Sequence, residues 1–544
     1  MIKACRRVTL FLGFFVVSCG VQGDEFLPRL NLDLSATTVS GISSGAFMAV
    51  QMGVAHSANI KGVAATAGGP YFCAGEASWM GAASGKAMAR CMQGDPALPA
   101  TPITAADQGV MQAATEDWAE RGLIDATDHL AAQKVWIFHG YNDGIVKTPV
   151  SEALRDYYQA FTPQRQIFYK HELPAAHAQI SASCKSGDKG ANSCNPCATT
   201  GGNFINTCVV GKTAYDAAGS ALQFFYGALT RTASNALKGE VLEFDQSWFT
   251  LRDGEEIAPI RLALAKTGYL YVPKSCKQGE PCRLHIAFHG CGQHADEIGL
   301  DFVKGAGYNE WAEKNHIVVL YPQATATFAI PITTPFNPVG CWDWWGYNDS
   351  GDRMTGNFAT QQGLQIAAVW RMAQFMALKI EDEEEGDGDD AAASDIAAEV
   401  SAVSADAADA EASAEADTPP ADLPRLKAAP VVKLLDVSSD QILLIWQPLA
   451  NAAAYRVYRL GNTPEEDMLL SPEDFAGTAF VDNGLKAQSN YRYRVVAVGV
   501  AGDERAAKPL TAKTAQQEPA CDPYYSIQNG TVDKDGVATS AVCK

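Results

Sequence analysis

The chain has 544 residues, 47% hydrophobic and 19% charged, a globular composition long enough for two or more cores, which excludes a fibrous or wholly disordered protein. Its net charge of −20 argues against a nucleic-acid partner. Fifteen acids fall in residues 381–420 with no Lys or Arg among them, and setting them aside leaves −5 for the rest, so one segment sets the acidity.

Residues 1–23 are predicted to be an export signal. Lys3, Arg6 and Arg7 precede an apolar run from Val8 to Val17, which is too short to span a bilayer as a permanent helix. The run ends in Val16-Val17-Ser18-Cys19, a loose match to a lipobox, which would make Cys19 a lipid anchor; the alternative is ordinary cleavage a few residues later. Cys5 and Cys19 lie in the signal region, which leaves twelve of fourteen cysteines in the exported chain. An even number there favours disulfides, locally Cys73 with Cys91, Cys276 with Cys282, and Cys521 with Cys543. The cluster of Cys184, Cys194, Cys197 and Cys208 contains a C-x-x-C; it reads better as bridges than as zinc or redox chemistry in an oxidising compartment.

Residues 25–378 alternate strand-like apolar runs with amphipathic stretches, the pattern of an α/β domain with a largely parallel sheet. Strands are expected at Ala36–Val39, Ile60–Ala67, Val135–Phe138, Leu284–Phe288 and Ile317–Tyr321, and helices at Ala46–His56 and Gln361–Ala377. Gly41-Ile42-Ser43-Ser44-Gly45 is a G-x-S-x-G lying between the first strand and the first helix. There the glycines leave room for a strained turn, Ser43 stands as nucleophile, and the Ser44 amide faces a developing oxyanion. A serine nucleophile needs a base and an orienting acid. Asp143 follows the strand ending at Phe138, and His177 sits in a loop past Tyr169–Leu173, so the order Ser, Asp, His fits an α/β-hydrolase. His139 and His171 compete as base; His139 is placed to order the Asp143 loop, and His171 lies within a strand. The second oxyanion loop, His289-Gly290-Cys291-Gly292, comes far after Ser43, which requires a circularly permuted fold if both serve one site.

Residues 379–427 are acidic and Ala-rich and are expected to be a disordered linker. Residues 428–515 change to short alternating strands, Ile442, Leu444, Trp446, then Tyr455, Val457, then Tyr491, Tyr493, Val495, a small all-β sandwich tethered to the first domain. Its Tyr455-Arg456-Val457-Tyr458 and Tyr491-Arg492-Tyr493-Arg494-Val495 strands resemble a fibronectin type III module. Residues 516–544 read as a short bridged tail.

Together with Leu320-Tyr321-Pro322-Gln323 and Cys341-Trp342-Asp343-Trp344-Trp345-Gly346-Tyr347, these motifs resemble the extracellular poly(3-hydroxybutyrate) depolymerases with an early nucleophile and a permuted α/β-hydrolase domain. The resemblance implies Ser43, Asp143 and His177 as a triad, Ser44 and Cys291 as oxyanion donors, and a Cys291–Cys341 bridge. It implies Trp344 and Tyr347 as an apolar wall for the polymer. The expected activity is that of an exported, monomeric, cofactor-free serine esterase acting on a short-chain polyester. Alternatives are a feruloyl or acetyl-xylan esterase and an inert adhesion protein acting through its sandwich.

Overall fold

The structure, a computed structural model, describes residues 26–75, 84–93, 100–186, 193–252, 254–329, 334–349, 356–379 and 423–516. The expected signal with Cys19, nearly all of the acidic linker, and the Cys521–Cys543 pair lie outside them.

Eight strands build the main sheet: β1 (Leu32–Ile42), β2 (Ile60–Thr66), β3 (Lys134–Gly140), β4 (Ile167–Leu173), β5 (Glu240–Asp245), β6 (Thr267–Val272), β7 (Cys282–Phe288) and β8 (Ile317–Tyr321). Their order is β5-β6-β8-β7-β1-β2-β3-β4. The six strands from β8 to β4 are parallel, and β6 runs antiparallel to both of its neighbours. The late strand β7 therefore lies directly beside β1, as the permuted order requires.

Side chains divide across this sheet with the two-residue period of a strand. Val135 and Ile137 of β3 enter one core, with Leu284 and Ile286 of β7, while Trp136 and Phe138 enter the other. The first core is covered by α1 (Ser44–Ala55), α2 (Ala105–Glu120), α3 (Thr148–Gln159) and α5 (Leu364–Ala377), the second by α4 (Ala217–Tyr226) and helical turns around 301–312. Every residue of α1 is buried, which explains why it reads as apolar all round rather than along one stripe.

In the C-terminal region, β9 (Val432–Val437), β10 (Ile442–Trp446) and β12 (Ala479–Asp482) form one sheet in the order β9-β10-β12. It faces a second sheet built on β11 (Ala452–Arg459) and β13 (Asn490–Gly499). The sandwich is docked rather than merely tethered. Ile442, Leu444 and Trp446 point into its own core, whereas Leu443 and Ile445, with Ala479 and Val481, join the second core of the α/β domain. A strand buried on both faces explains the unbroken apolar run of β10, and each Leu or Ile so covered stabilises by about 1.5–3 kcal/mol.

Candidate active site

The parallel strands deliver the candidate residues to one edge of the sheet, at their carboxyl ends: Ser43 after β1, Asp143 after β3, His177 after β4 and Cys291 after β7. Ser43 has φ 55° and ψ −124°, a conformation that costs a non-glycine residue about 1–3 kcal/mol. Its surroundings hold it there. The Ser43 N–H donates to Thr66 O at 2.9 Å, and its carbonyl accepts from Ala46 and Phe47 N–H at 2.8 and 3.1 Å. The flanking glycines are steric requirements: a Cβ on Gly41 would lie 2.1 Å from Gly45 O, and one on Gly45 2.3 Å from His289 O.

Asp143 and His177 meet. His177 Nδ1 lies 2.8 Å from Asp143 Oδ2, both side chains being buried, while Asp143 Oδ1 accepts from Ile145 and Val146 N–H at 2.8 and 3.0 Å. Burial pushes the Asp143 carboxyl up, but His177, its hydrogen bond, His139 and the Ile145 amide more than offset this and hold it below its ordinary value. Ionised Asp143 can accept from Nδ1–H of His177, which leaves Nε2 as the ring nitrogen turned away from the carboxylate. His139 is fully buried behind this loop, with Nε2 2.9 Å from Val146 O. His171, the other competitor, lies in β4 beside Glu172.

The loop after β7 closes the site from the other side. His289 Nδ1–H donates to Gly290 O at 2.7 Å, and Nε2 accepts from Ala324 N–H at 3.1 Å; burial lowers its pKa to about 3, so it stays neutral as a loop fastener. The Gly290 amide donates to Gln293 Oε1 at 2.8 Å and the Gly292 amide to Val339 O at 2.7 Å, with the Cys291 N–H between these two anchored groups. The Ser44 amide is in the first turn of α1, where N–H groups have no intrahelical acceptor. A Cβ on Gly290 would lie 3.4 Å from Ser43 Cβ, so this loop abuts the elbow.

Cys291 is bridged to Cys341, and the Trp342 N–H donates to Ser44 Oγ at 3.3 Å, so the aromatic segment is tied to both oxyanion candidates. Bridges also join Cys73 to Cys91, Cys276 to Cys282, Cys184 to Cys194 and Cys197 to Cys208. Trp344 and Tyr347 are each only 4% exposed. Trp344 stacks on Phe47 of α1, and the Tyr347 hydroxyl donates to Cys341 O at 2.7 Å while accepting from Gln365 Nε2 at 3.0 Å. Both are buried, Trp344 through its ring contact and Tyr347 through its hydroxyl bonds, with partners that an extended-strand reading could not foresee. Asp343 accepts from the Gly346, Tyr347 and Asn348 amides, and burial raises its pKa to about 6.

Two neighbours had no role in the expectations from sequence. Half-buried Phe204, at φ 52°, sets its ring 6.4 Å edge-on from that of His177. Gln293 links the two halves of the site: its Oε1 holds the Gly290 amide, while its Nε2 donates to Asn203 O and Phe204 O at 2.9 and 3.1 Å. The only sequence signal for Phe204 is the turn Gly201-Gly202-Asn203 before it.

No family model matches the chain. A poly(3-hydroxybutyrate) depolymerase of Delftia acidovorans is 32% identical over 501 residues, covering 91% of this chain and 83% of that protein. A polyhydroxybutyrate depolymerase of Talaromyces funiculosus is 32% identical over 350 residues, 63% of this chain and 90% of that one. Among solved structures, the PHB depolymerase from Penicillium funiculosum is 31% identical with a TM-score of 0.53, and covers 65% of this chain and 99% of its own. A PHB depolymerase variant complexed with an R3HB trimer matches with the same score at 30% identity.

Proposed function

The chain belongs to the poly(3-hydroxybutyrate) depolymerase family, and from that premise we propose that it is an exported serine esterase that cleaves this polyester through an acyl-enzyme. The observation that carries the reading is the 2.8 Å contact of Asp143 with His177 at the sheet edge where Ser43 is held in its strained turn. In this reading His177 Nε2 takes the Ser43 hydroxyl proton as Oγ attacks the ester carbonyl. The Ser44 and Cys291 amides stabilise the oxyanion, the proton passes to the departing alkoxide, and the acyl group stays on Oγ. Water then attacks with His177 again as base, releasing a hydroxyacid or oligomer and restoring the serine.

Phe204 at the front is suited to the methyl-bearing chain, with Trp344 and Tyr347 supporting the cysteine loop behind. Five bridges among the described residues and the basic, then apolar, N-terminus support export. In the same proposal the chain acts as a monomer, and its N-terminus is processed either by acylation of Cys19 or by ordinary cleavage a few residues later.

The test is release of hydroxyacid from amorphous polyhydroxybutyrate by wild type and Ser43→Ala, with acetylated and feruloylated xylan in parallel. Polymer hydrolysis that vanishes in Ser43→Ala is the expected result. Turnover of xylan esters alone, or an undiminished Ser43→Ala protein, would sink the reading.

A further inference from the structure

The docking face of the sandwich meets the α/β domain along β4, the edge strand whose following loop bears His177. An edge strand presents unpaired backbone groups. Here Gln441 of the sandwich satisfies two of them, its Oε1 accepting from Tyr169 N–H at 2.9 Å and its Nε2 donating to Ile167 O at 3.4 Å. Beside it lies a buried polar knot. Lys170 Nζ donates to Val437 O at 2.5 Å and lies 3.7 Å from Asp436 Oδ1 and 3.4 Å from Glu172 Oε2. Glu172 Oε1 accepts from the Ser439 N–H at 2.5 Å. Asp436 Oδ2 accepts from Tyr215 OH at 2.5 Å and Ser220 Oγ at 3.0 Å, and Ser220 in turn accepts from Trp136 Nε1 of β3.

The strand so gripped leads straight into the site. Leu173 O, the last carbonyl of β4, accepts from the Tyr141 N–H at 3.1 Å, and Ala175 O accepts from the Asn142 N–H at 3.2 Å. The segment leading to His177 is thus laced to the loop of Asp143. A displacement of β4 would move the imidazole against its carboxylate, and polar groups as deeply buried as Lys170, Glu172 and Asp436 are costly to leave unpaired. A spacer needs no such surface.

We propose that the sandwich is an intramolecular clamp on β4 that positions His177 for catalysis, with Gln441 and Asp436 as its positioning residues. The proposal rests on His177 being the base, and the experiment separates the two claims. In the full-length protein, kcat and KM are measured on soluble p-nitrophenyl butyrate for Gln441→Ala, Asp436→Asn, Leu443→Asp and His177→Ala. The rate of Ser43 labelling by a fluorophosphonate and the number of thermal transitions are followed alongside.

The clamp requires kcat and labelling rate to fall by about tenfold in Gln441→Ala and Asp436→Asn while KM stays within about twofold, since small misplacements act on the reacting geometry rather than on uniform binding. Leu443→Asp, which undocks the sandwich, should show two thermal transitions and the same loss of kcat. An inactive His177→Ala together with wild-type kcat in the two polar variants, or in an undocked Leu443→Asp, overturns the clamp alone. If Leu443→Asp does not accumulate, the two polar variants decide. Wild-type kcat in His177→Ala overturns the base assignment and the clamp with it.

Discussion

The elbow at Ser43 and the docking face of the sandwich are both rigidly held, but by opposite kinds of determinant. At the elbow, the two glycines that flank Ser43 meet backbone so closely that the absence of a side chain is the requirement, as the 2.1 and 2.3 Å clashes of an added Cβ at Gly41 and Gly45 show. At the docking face the requirement is the presence of particular side chains whose partners lie 216 to 274 positions away. A steric elbow is intolerant of added atoms and indifferent to distant substitutions. A paired interface tolerates change at one site only if the partner changes too.

Breaking the site without touching either region should give the largest effect. Asp143→Asn, which keeps an acceptor for the Ile145 and Val146 amides but loses the charge behind His177, is expected to lower kcat on a soluble ester by about 10⁴-fold with little change in denaturation midpoint. Next comes the elbow. Gly45→Ala places its Cβ against His289 and Phe288 carbonyls, which are backbone and cannot swing away, so chemical denaturation should register a loss of about 4 kcal/mol or more.

The docking face is sharpened by comparing two adjacent residues of β10. Leu443→Ala and Leu444→Ala should each cost about 3 kcal/mol, but calorimetry should show Leu443→Ala loosening the two units from one another and Leu444→Ala melting the sandwich itself. Replacing Cys291 and Cys341 together by alanine should cost about 2 kcal/mol and reduce kcat by about tenfold, because the Cys291 loop loses its tie to the segment whose Trp342 amide bonds Ser44; removing the Cys276–Cys282 bridge should leave kcat unchanged.

The smallest effect is a pair of opposite pH dependences. Folded Asp343 binds its proton more tightly than the unfolded chain, with a pKa near 6 against an ordinary 3.8, so its contribution to stability is lost as pH rises from about 4 to 6. Asp143 is depressed, so its contribution is present above the ordinary carboxylate range and lost as pH falls through the folded value. Asp343→Asn should flatten the first slope in denaturation curves measured across that range and Asp143→Asn the second.

Much of the α/β domain is legible from residues alone. The runs at Ile60, Val135, Leu284 and Ile317 form strands because branched and aromatic side chains buried on both faces suit a central parallel sheet, whichever neighbours they acquire. The sandwich was legible as a sandwich but not as a docked one. Leu443 and Ile445 fall between the alternating residues of a half-buried strand, and nothing within the strand says what covers its second face.

The amino-acid order alone determined the turn at Gly41, the strand-end positions of Asp143 and His177 and the Cys73–Cys91 and Cys276–Cys282 pairs, because each obeys rules that act over a few residues: a clash, a turn, a short closed loop. Only the tertiary structure decided that Trp344 stacks on Phe47 and Tyr347 bonds Cys341, that Phe204 comes beside His177, and that Gln441 completes the edge of β4. The destination of such a side chain is set by which distant surface it meets, and that surface exists only once the sheet has assembled.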